Sequence, residues 1–156
     1  MIVTDPPELA AALNKGERLF GLDLGEKTIG LALSDTMLTV ATPLETIARK
    51  KFTIDAAALI ASIKKHNVGG LVIGLPLNMN GTEGPSAQSA RAFARNFLPK
   101  HDLPILFWDE RLSTAAVTRT LIEADVSRAK RKEVVDKMAA SFILQGVLDF
   151  LSRRKA

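Results

Sequence analysis

Five apolar segments of the chain have the length and composition of β-strands. They lie at residues 19–23, 29–34, 39–47, 68–75 and 104–108. Runs this apolar are typical of strands that are buried in a sheet. Pro43 lies within the third segment, and because proline cannot donate to a strand ladder, this segment is predicted to be an edge strand or to be interrupted.

Segments with helical spacing of apolar residues alternate with these strands. A short helix is predicted after Pro7, and longer helices at about 52–66, 85–97, 114–124 and 133–151, with a loop at 125–132. The order of elements predicts a mixed α/β sheet of five strands flanked by helices, whose first three strands form a meander. We interpret residues 18–152 as a single domain and residues 1–17 as an N-terminal extension.

The composition narrows the chemistry. With 156 residues, 47% hydrophobic and 24% charged, the chain has the size and balance of one globular domain. It has no cysteine, which excludes disulfides and Cys-based zinc sites, and its two histidines do not have ligand spacing.

No apolar run of the sequence is long enough to span a membrane and no signal peptide is recognisable, so a cytoplasmic location is expected. A net charge of +4 permits a nucleic-acid partner without proving one.

Asp23 ends the first predicted strand, where an unpaired carboxylate would be costly. Gly25 follows two residues later, at a position suited to a tight turn. Two interpretations remain open from this stretch alone. Either Asp23 accepts hydrogen bonds from turn amides, or it holds a positive group such as a metal ion.

Two further acidic positions stand out. Asp109 and Glu110 directly follow the last predicted strand, and alternation of side chains predicts that only one of them faces the crevice of the sheet. The presence of either acidic residue alone would also be explained by the favourable interaction of a negative charge with a helix N-terminus. Asp136 is different because steps of three and four residues from it reach only small or apolar positions: Ala139, Ala140, Ile143 and Val147.

These carboxylates predict an acidic metal site. An all-oxygen ligand set suits Mg²⁺ or Mn²⁺ rather than zinc, and the candidate ligands are Asp23, Asp109, Glu110 and Asp136. Two such ions about 4 Å apart can activate a water and stabilise the leaving oxygen of a phosphodiester.

Several polar and basic residues are candidates for contacts with a nucleic acid. The loop at 76–85 follows a predicted parallel strand, where ligand crevices form in open α/β sheets. Phosphates could be countered by basic residues near the acidic positions. The candidates are Lys27, Asn78, Asn80, Arg111, Arg128, Lys130, Arg131 and Lys132.

Four ordered segments together resemble the YqgF family, which is described as pre-16S ribosomal RNA nucleases and as Holliday-junction-resolvase-like. They are DLGEKTIGLALSD at 23–35, VIGLPLNMNG at 72–81, DERLST at 109–114 and VDKMAASFILQ at 135–145. The resemblance implies a ribonuclease H-like fold, a metal-dependent acidic site and a role in maturing the 5′ end of small-subunit ribosomal RNA. It also implies that Asp23, Glu110 and Asp136 are the catalytic residues, with Asp109 as the alternative to Glu110.

Three other functions remain to be weighed. A resolvase of branched DNA would use the same acidic set. A non-catalytic ribosome-assembly factor, bound to ribosomal precursor particles, could retain the fold, although binding alone would not favour carboxylates beside phosphates. An ATP-binding domain of the actin and Hsp70 type also begins with Asp-x-Gly on a hairpin, but it needs a second such domain, for which this chain is too short.

Overall fold

The protein is described by a computed structural model for residues 1–112 and 128–155, with side chains at 1–111 and 138–153. Its centre is a mixed sheet of six strands, which are β1 (Ile2–Val3), β2 (Arg18–Leu24), β3 (Thr28–Ser34), β4 (Ala41–Ala48), β5 (Val68–Leu75) and β6 (Ile105–Asp109). Their order in the sheet is β1-β6-β5-β2-β3-β4. β2, β3 and β4 form an antiparallel meander, while β1, β6, β5 and β2 are parallel neighbours.

Helices cover both faces of the sheet. They are α1 (Pro6–Ala11), α2 (Phe52–Lys65), α3 (Pro85–Phe97) and α4 (Arg128–Lys155), and a 3₁₀ turn at Glu110–Leu112 follows β6. α2 and α3 pack on one face, and α4 packs on the other together with Leu9 of α1. The helix predicted at 114–124 lies outside the described residues.

The mixed α/β architecture is confirmed, but the predicted count of five strands is wrong. The sixth strand is β1, which pairs with β6 through Ile2 and Val3. Two residues are too short to give a periodic signal. Val3 and Leu9 are buried in the core, so residues 2–11 complete the sheet edge and one helical layer.

One further prediction about an element bound is wrong, and one about Pro43 is confirmed. The predicted loop at 125–132 is wrong for residues 128–132, because α4 already begins at Arg128. Alanine, lysine and arginine are strong helix formers and no proline interrupts this stretch, so the helix extends through it. Pro43 behaves as predicted, since β4 is an edge strand and its register shifts beside Pro43.

β2 shows how the sheet separates its two faces. Phe20 and Leu22 belong to the core beneath α2 and α3, whereas Leu19 belongs to the core beneath α4. Side chains alternate along a strand, so Gly21 and Asp23 share the α4 face with Leu19. A Cβ atom on Gly21 would lie 2.6 Å from the carbonyl oxygen of Ala140, so the helix backbone rests directly on the strand.

Among the described residues, no helix combines the length and the apolar character that crossing a membrane requires.

Asp35, the last residue of the first motif, lies in the turn between β3 and β4. Its carboxylate accepts hydrogen bonds from the Thr39 amide at 2.7 Å, the Val40 amide at 3.0 Å and the Thr39 hydroxyl at 2.6 Å. Desolvation opposes ionisation, but these hydrogen bonds outweigh it and lower the pKa of Asp35 to about 2. This aspartate therefore stabilises a turn at the end of the sheet opposite Asp23.

We expect Asp35→Asn to lower the free energy of unfolding at pH 7 by roughly 1 kcal/mol, because charge-assisted hydrogen bonds are lost. The folded-state pKa lies below the unfolded value of about 3.9. The contribution of ionised Asp35 to the free energy of unfolding is therefore complete above the unfolded pKa. It disappears as the pH falls through the folded-state pKa of about 2. Urea titrations from pH 7 downward measure it, with the exposed Asp102→Asn as control. A constant difference between wild type and Asp35→Asn down to pH 2 would contradict this assignment.

Candidate active site

Asp23 lies one residue before the end of β2, opposite Gly30 of β3. Its side chain is half-buried and, by alternation, lies on the α4 face. Asp23 and Glu110 each make interactions within the structure, so neither residue is without a partner. The sequence left open whether Asp23 serves the turn, and the turn itself is closed by backbone atoms, with the Gly25 amide donating to the Thr28 carbonyl at 2.9 Å.

Glu110 reaches over β5 toward β2. A Cβ atom on Gly74 would lie 2.7 Å from Glu110 Oε1, so the carboxylate occupies the space above this glycine. Gly74 follows Ile73, which pairs with Leu22, the residue before Asp23. Neighbouring strands are about 4.8 Å apart, so Asp23 and Glu110 extend over adjacent strands at the same end of the sheet.

Asp109 has a different environment from Glu110. Its carboxylate accepts hydrogen bonds from Arg111 Nη2 at 2.9 Å, from Arg111 Nε at 3.1 Å and from the Arg111 amide at 2.9 Å. These hydrogen bonds from the Arg111 side chain hold the pKa of Asp109 below its usual value. Asp109 and Arg111 thus form an ion pair, which we call the Asp109–Arg111 pair. The prediction that Asp109 is a metal ligand does not take this ion pair into account.

The third predicted acid is located by its backbone. Asp136 lies on α4, four residues before Ala140, whose carbonyl rests on Gly21. Gln145, further along the helix, accepts from the Ala41 amide, at the end of the sheet away from Asp23. The helix therefore runs back along β2, and position 136 lies about one turn beyond Ala140 in the direction of Asp23. Its side chain is outside those described.

The predicted basic contacts other than Arg111 are distributed along two elements. Lys27 is exposed in the β2–β3 turn, at the same end of the sheet as Asp23. The other four, Arg128, Lys130, Arg131 and Lys132, lie in the first turns of α4, with side chains outside those described. Between four and eight residues separate them from position 136, which is roughly 6–12 Å along a helix.

Arg49, which was not among the predicted site residues, braces the turn beside Asp23. Its Nη1 donates to the Gly25 carbonyl at 2.7 Å, and its amide donates to the Lys27 carbonyl at 2.8 Å. Arg49 also lines a cavity of about 310 Å³ with residues of the turn and of the start of α3. The β2–β3 turn is therefore held from the side of β4.

The donor chemistry of this region suits a hard divalent cation. Asp23 and Glu110 offer carboxylate oxygens, while the ring of His66 packs against Phe20 and that of His101 against Phe97. No group of three potential ligands occurs among the described side chains, which do not include that of Asp136. Two carboxylates over adjacent strands fit Mg²⁺ or Mn²⁺ better than zinc.

Two glycines shape this site, and the sequence reasoning did not single them out for it. Gly21 lets α4 approach β2, and Gly74 gives room to Glu110. Glycine within an otherwise apolar strand is a known sign of close approach by another backbone or group, so this signal was available in the sequence.

The mixed sheet with helices on both faces defines a ribonuclease H-like fold that resembles that of the RuvC resolvases. The structure superposes on Thermus thermophilus RuvC in complex with a Holliday junction substrate with a TM-score of 0.52, at 12% identity, covering 90% of this chain and 97% of RuvC. With Ydc2, the yeast mitochondrial Holliday junction resolvase, the TM-score is 0.53 at 10% identity, covering 94% and 84% of the two chains. Likeness at this identity concerns the fold.

Residues 17–150 match the RuvX family, described as a Holliday junction resolvase, and the chain belongs to this family of nucleases. A relative from Paramagnetospirillum magneticum is 62% identical over 149 residues, covering 96% of each protein, and is named "Putative pre-16S rRNA nuclease". The family predicted from the four sequence segments is therefore confirmed, and so is the ribonuclease H-like fold.

We expect Gly74→Ala to impair cleavage because its new methyl group would lie 2.7 Å from Glu110 Oε1 and 2.5 Å from Ile143 Cδ1. Overpacking of this kind costs roughly 1–3 kcal/mol of stability. Thermal unfolding and a cleavage assay on the same preparation separate the two effects.

The double variant Gly74→Ala/Ile143→Val is the matched control. It removes Cδ1 of Ile143 but keeps the close contact between the new methyl group at position 74 and Glu110 Oε1. Stability should recover in the double variant while cleavage stays low. Recovery of both would mean that the single variant acted only through core packing.

Proposed function

We propose that this chain is a metal-dependent endonuclease that hydrolyses a phosphodiester bond of pre-16S ribosomal RNA during maturation of its 5′ end, in the cytoplasm. The observation that most supports this activity is the position of Asp23 and Glu110 over adjacent strands, on the face covered by the helix of Asp136. The substrate is supported by the name of the relative that shares 62% of its residues over nearly the whole length of both proteins.

In this proposal Asp23, Glu110 and Asp136 hold Mg²⁺ or Mn²⁺. Such ions, when bound, supply the activation of a water and the neutralisation of charge on the leaving oxygen. The contribution of the chain is to fix the carboxylates: Asp23 lies on β2, and Glu110 lies in the 3₁₀ turn that follows β6. Gly74 sets the position of Glu110, and the turn braced by Arg49 sets the end of β2.

Phosphate contacts would come from residues outside the acidic set. Lys27 is exposed at the same end of the sheet, and the basic residues at 128–132 precede position 136 on its own helix. A cationic helix start next to an acidic site would attract the RNA backbone without occupying the metal ligands. Arg111 fits this role less well, since Asp109 already neutralises it.

Resolution of branched DNA is the second candidate function. The family description and the fold shared with RuvC favour it. Both functions require the same chemistry at phosphorus and differ only in the nucleic acid presented to the site.

We expect Asp23→Asn and Glu110→Gln each to reduce cleavage by about 10³-fold or more, on the scale of losing a catalytic group that holds metal. Asp109→Asn should retain activity within about tenfold of wild type, because Asp109 binds Arg111 and in this proposal is not a metal ligand. Purified protein is incubated with Mn²⁺ or Mg²⁺ and either a pre-16S RNA fragment or a four-way DNA junction.

Metal binding has an independent readout in Trp108, the only tryptophan of the chain, which lies two residues before Glu110. Saturable quenching of its fluorescence by Mn²⁺ should occur in wild type and Asp109→Asn, and weaken strongly in Asp23→Asn. Cleavage of neither nucleic acid would refute the nuclease activity and leave a non-catalytic assembly factor. Cleavage that survives EDTA would refute the dependence on metal. Selective cleavage of the DNA junction would replace the RNA substrate with the second candidate.

A further inference from the structure

An unusually exposed apolar side chain lies beside the acidic site. Met79 is 98% exposed, and it occupies the tip of the loop at residues 76–84, which we call the Met79 loop. This loop joins the end of β5 to the start of α3, so it begins only two residues after Gly74, above which Glu110 lies. Its tip contains no charged residue between Leu77 and Glu83.

Internal hydrogen bonds fix the shape of the Met79 loop. The Gly81 amide donates to the Asn78 carbonyl at 2.8 Å, which closes a β-turn with Met79 and Asn80 at its corners. Gly81 has a φ of +85°, a conformation that favours glycine. The Asn78 amide donates to the Thr82 carbonyl at 2.9 Å, and Leu77 bridges to Glu83. The loop is thus a small hairpin.

The two asparagines that were predicted to contact nucleic acid take part in this hairpin. Asn78 Nδ2 donates to Thr82 Oγ1 at 2.9 Å. Asn80 Oδ1 accepts from Thr82 Oγ1 at 2.6 Å and from the Thr82 amide at 3.1 Å. Polar side chains of the tip are therefore hydrogen-bonded to one another, and Met79 is the exposed large apolar side chain among them.

The Asp109–Arg111 pair attaches this hairpin to the acidic site. Arg111 Nη1 donates to the carbonyls of Met79 at 3.2 Å and Asn78 at 3.4 Å, while Nη2 and Nε bind Asp109. Glu110 lies between the two members of the pair in sequence. The position of Met79 is consequently tied, through one guanidinium, to the residues on both sides of Glu110.

We propose that Met79 is a wedge that inserts against an unstacked base of the nucleic acid and thereby positions the phosphate next to it over Asp23 and Glu110. Methionine is among the apolar side chains that proteins insert between base steps. An apolar contact also suits a tip that is free of acidic residues and so does not repel phosphates. This inference rests on the proposed function, because it assumes that the site acts on nucleic acid.

The test uses full-length protein in Ca²⁺, so that binding is measured without relying on cleavage. One probe is an RNA duplex with a single-nucleotide bulge, and the other is a four-way DNA junction. Each carries 2-aminopurine at the unpaired or crossover position, where its fluorescence reports unstacking. Fluorescence anisotropy gives the Kd, and the dependence of the Kd on salt counts the phosphate contacts.

We expect wild-type protein to raise the 2-aminopurine signal of at least one probe. Met79→Ala should abolish this rise and weaken binding by about fivefold to tenfold, on the scale of one lost base contact. The salt slope should not change, since an apolar contact releases no counterions. Met79→Phe should keep both the signal and the affinity.

Met37→Ala is the matched control, since Met37 is 72% exposed but lies in the turn at the opposite end of the sheet. It should behave as wild type. An unchanged Kd and signal in Met79→Ala would overturn the wedge while leaving the nuclease proposal standing. If the protein unstacks the base but never cleaves in Mn²⁺, the nuclease proposal is overturned and the wedge stands. If neither probe binds, both proposals are overturned.

Discussion

The site depends on how closely α4 can approach the sheet. At Gly21 a Cβ atom would lie 2.6 Å from the Ala140 carbonyl and 2.7 Å from Leu144 Cβ, so any larger residue would push the helix away from β2. Helix and strand are each rigid, and their separation sets the height of position 136 above Asp23. Gly74 applies the same constraint one strand further on, where the space that a side chain would fill is occupied by Glu110. The missing side chain of Gly21 thus makes room for α4, and that of Gly74 makes room for the Glu110 carboxylate.

The acidic residues of the four sequence segments differ in their surroundings. Asp35 accepts three hydrogen bonds within one turn and Asp109 is bound by Arg111, so their charges stabilise backbone geometry. Asp23 and Glu110 instead lie over adjacent strands on the face covered by α4, and each has a partner within the structure. In the proposed function, a divalent cation would offset the repulsion between these two carboxylates.

Most of the fold could be predicted from the sequence, because β2, β5 and α4 have long apolar patterns and four ordered segments identified the family. What failed was short or local. β1 has two residues and no period, and the start of α4 is a run of basic residues that was predicted to be a loop.

At the site, alternation predicted that the side chains of Asp109 and Glu110 would point to opposite sides, but it could not tell which of them binds an arginine. That depends on Arg111 folding back onto Asp109, a contact between side chains that no periodicity encodes. The catalytic and phosphate-binding roles remain predictions.

Substrate choice must come from outside the acidic residues. Carboxylates and divalent ions act on a phosphodiester in the same way in RNA and DNA, so Asp23 and Glu110 cannot distinguish a precursor RNA from a four-way junction. The proposed wedge requires an unstacked base next to the phosphate to be cut, whichever of the two nucleic acids is the substrate. A rigid apolar tip joined to the site through Arg111 would recognise that feature rather than a sequence. On this view the shape of the nucleic acid selects the phosphate, and a family described by both substrates needs only one geometry to act on either.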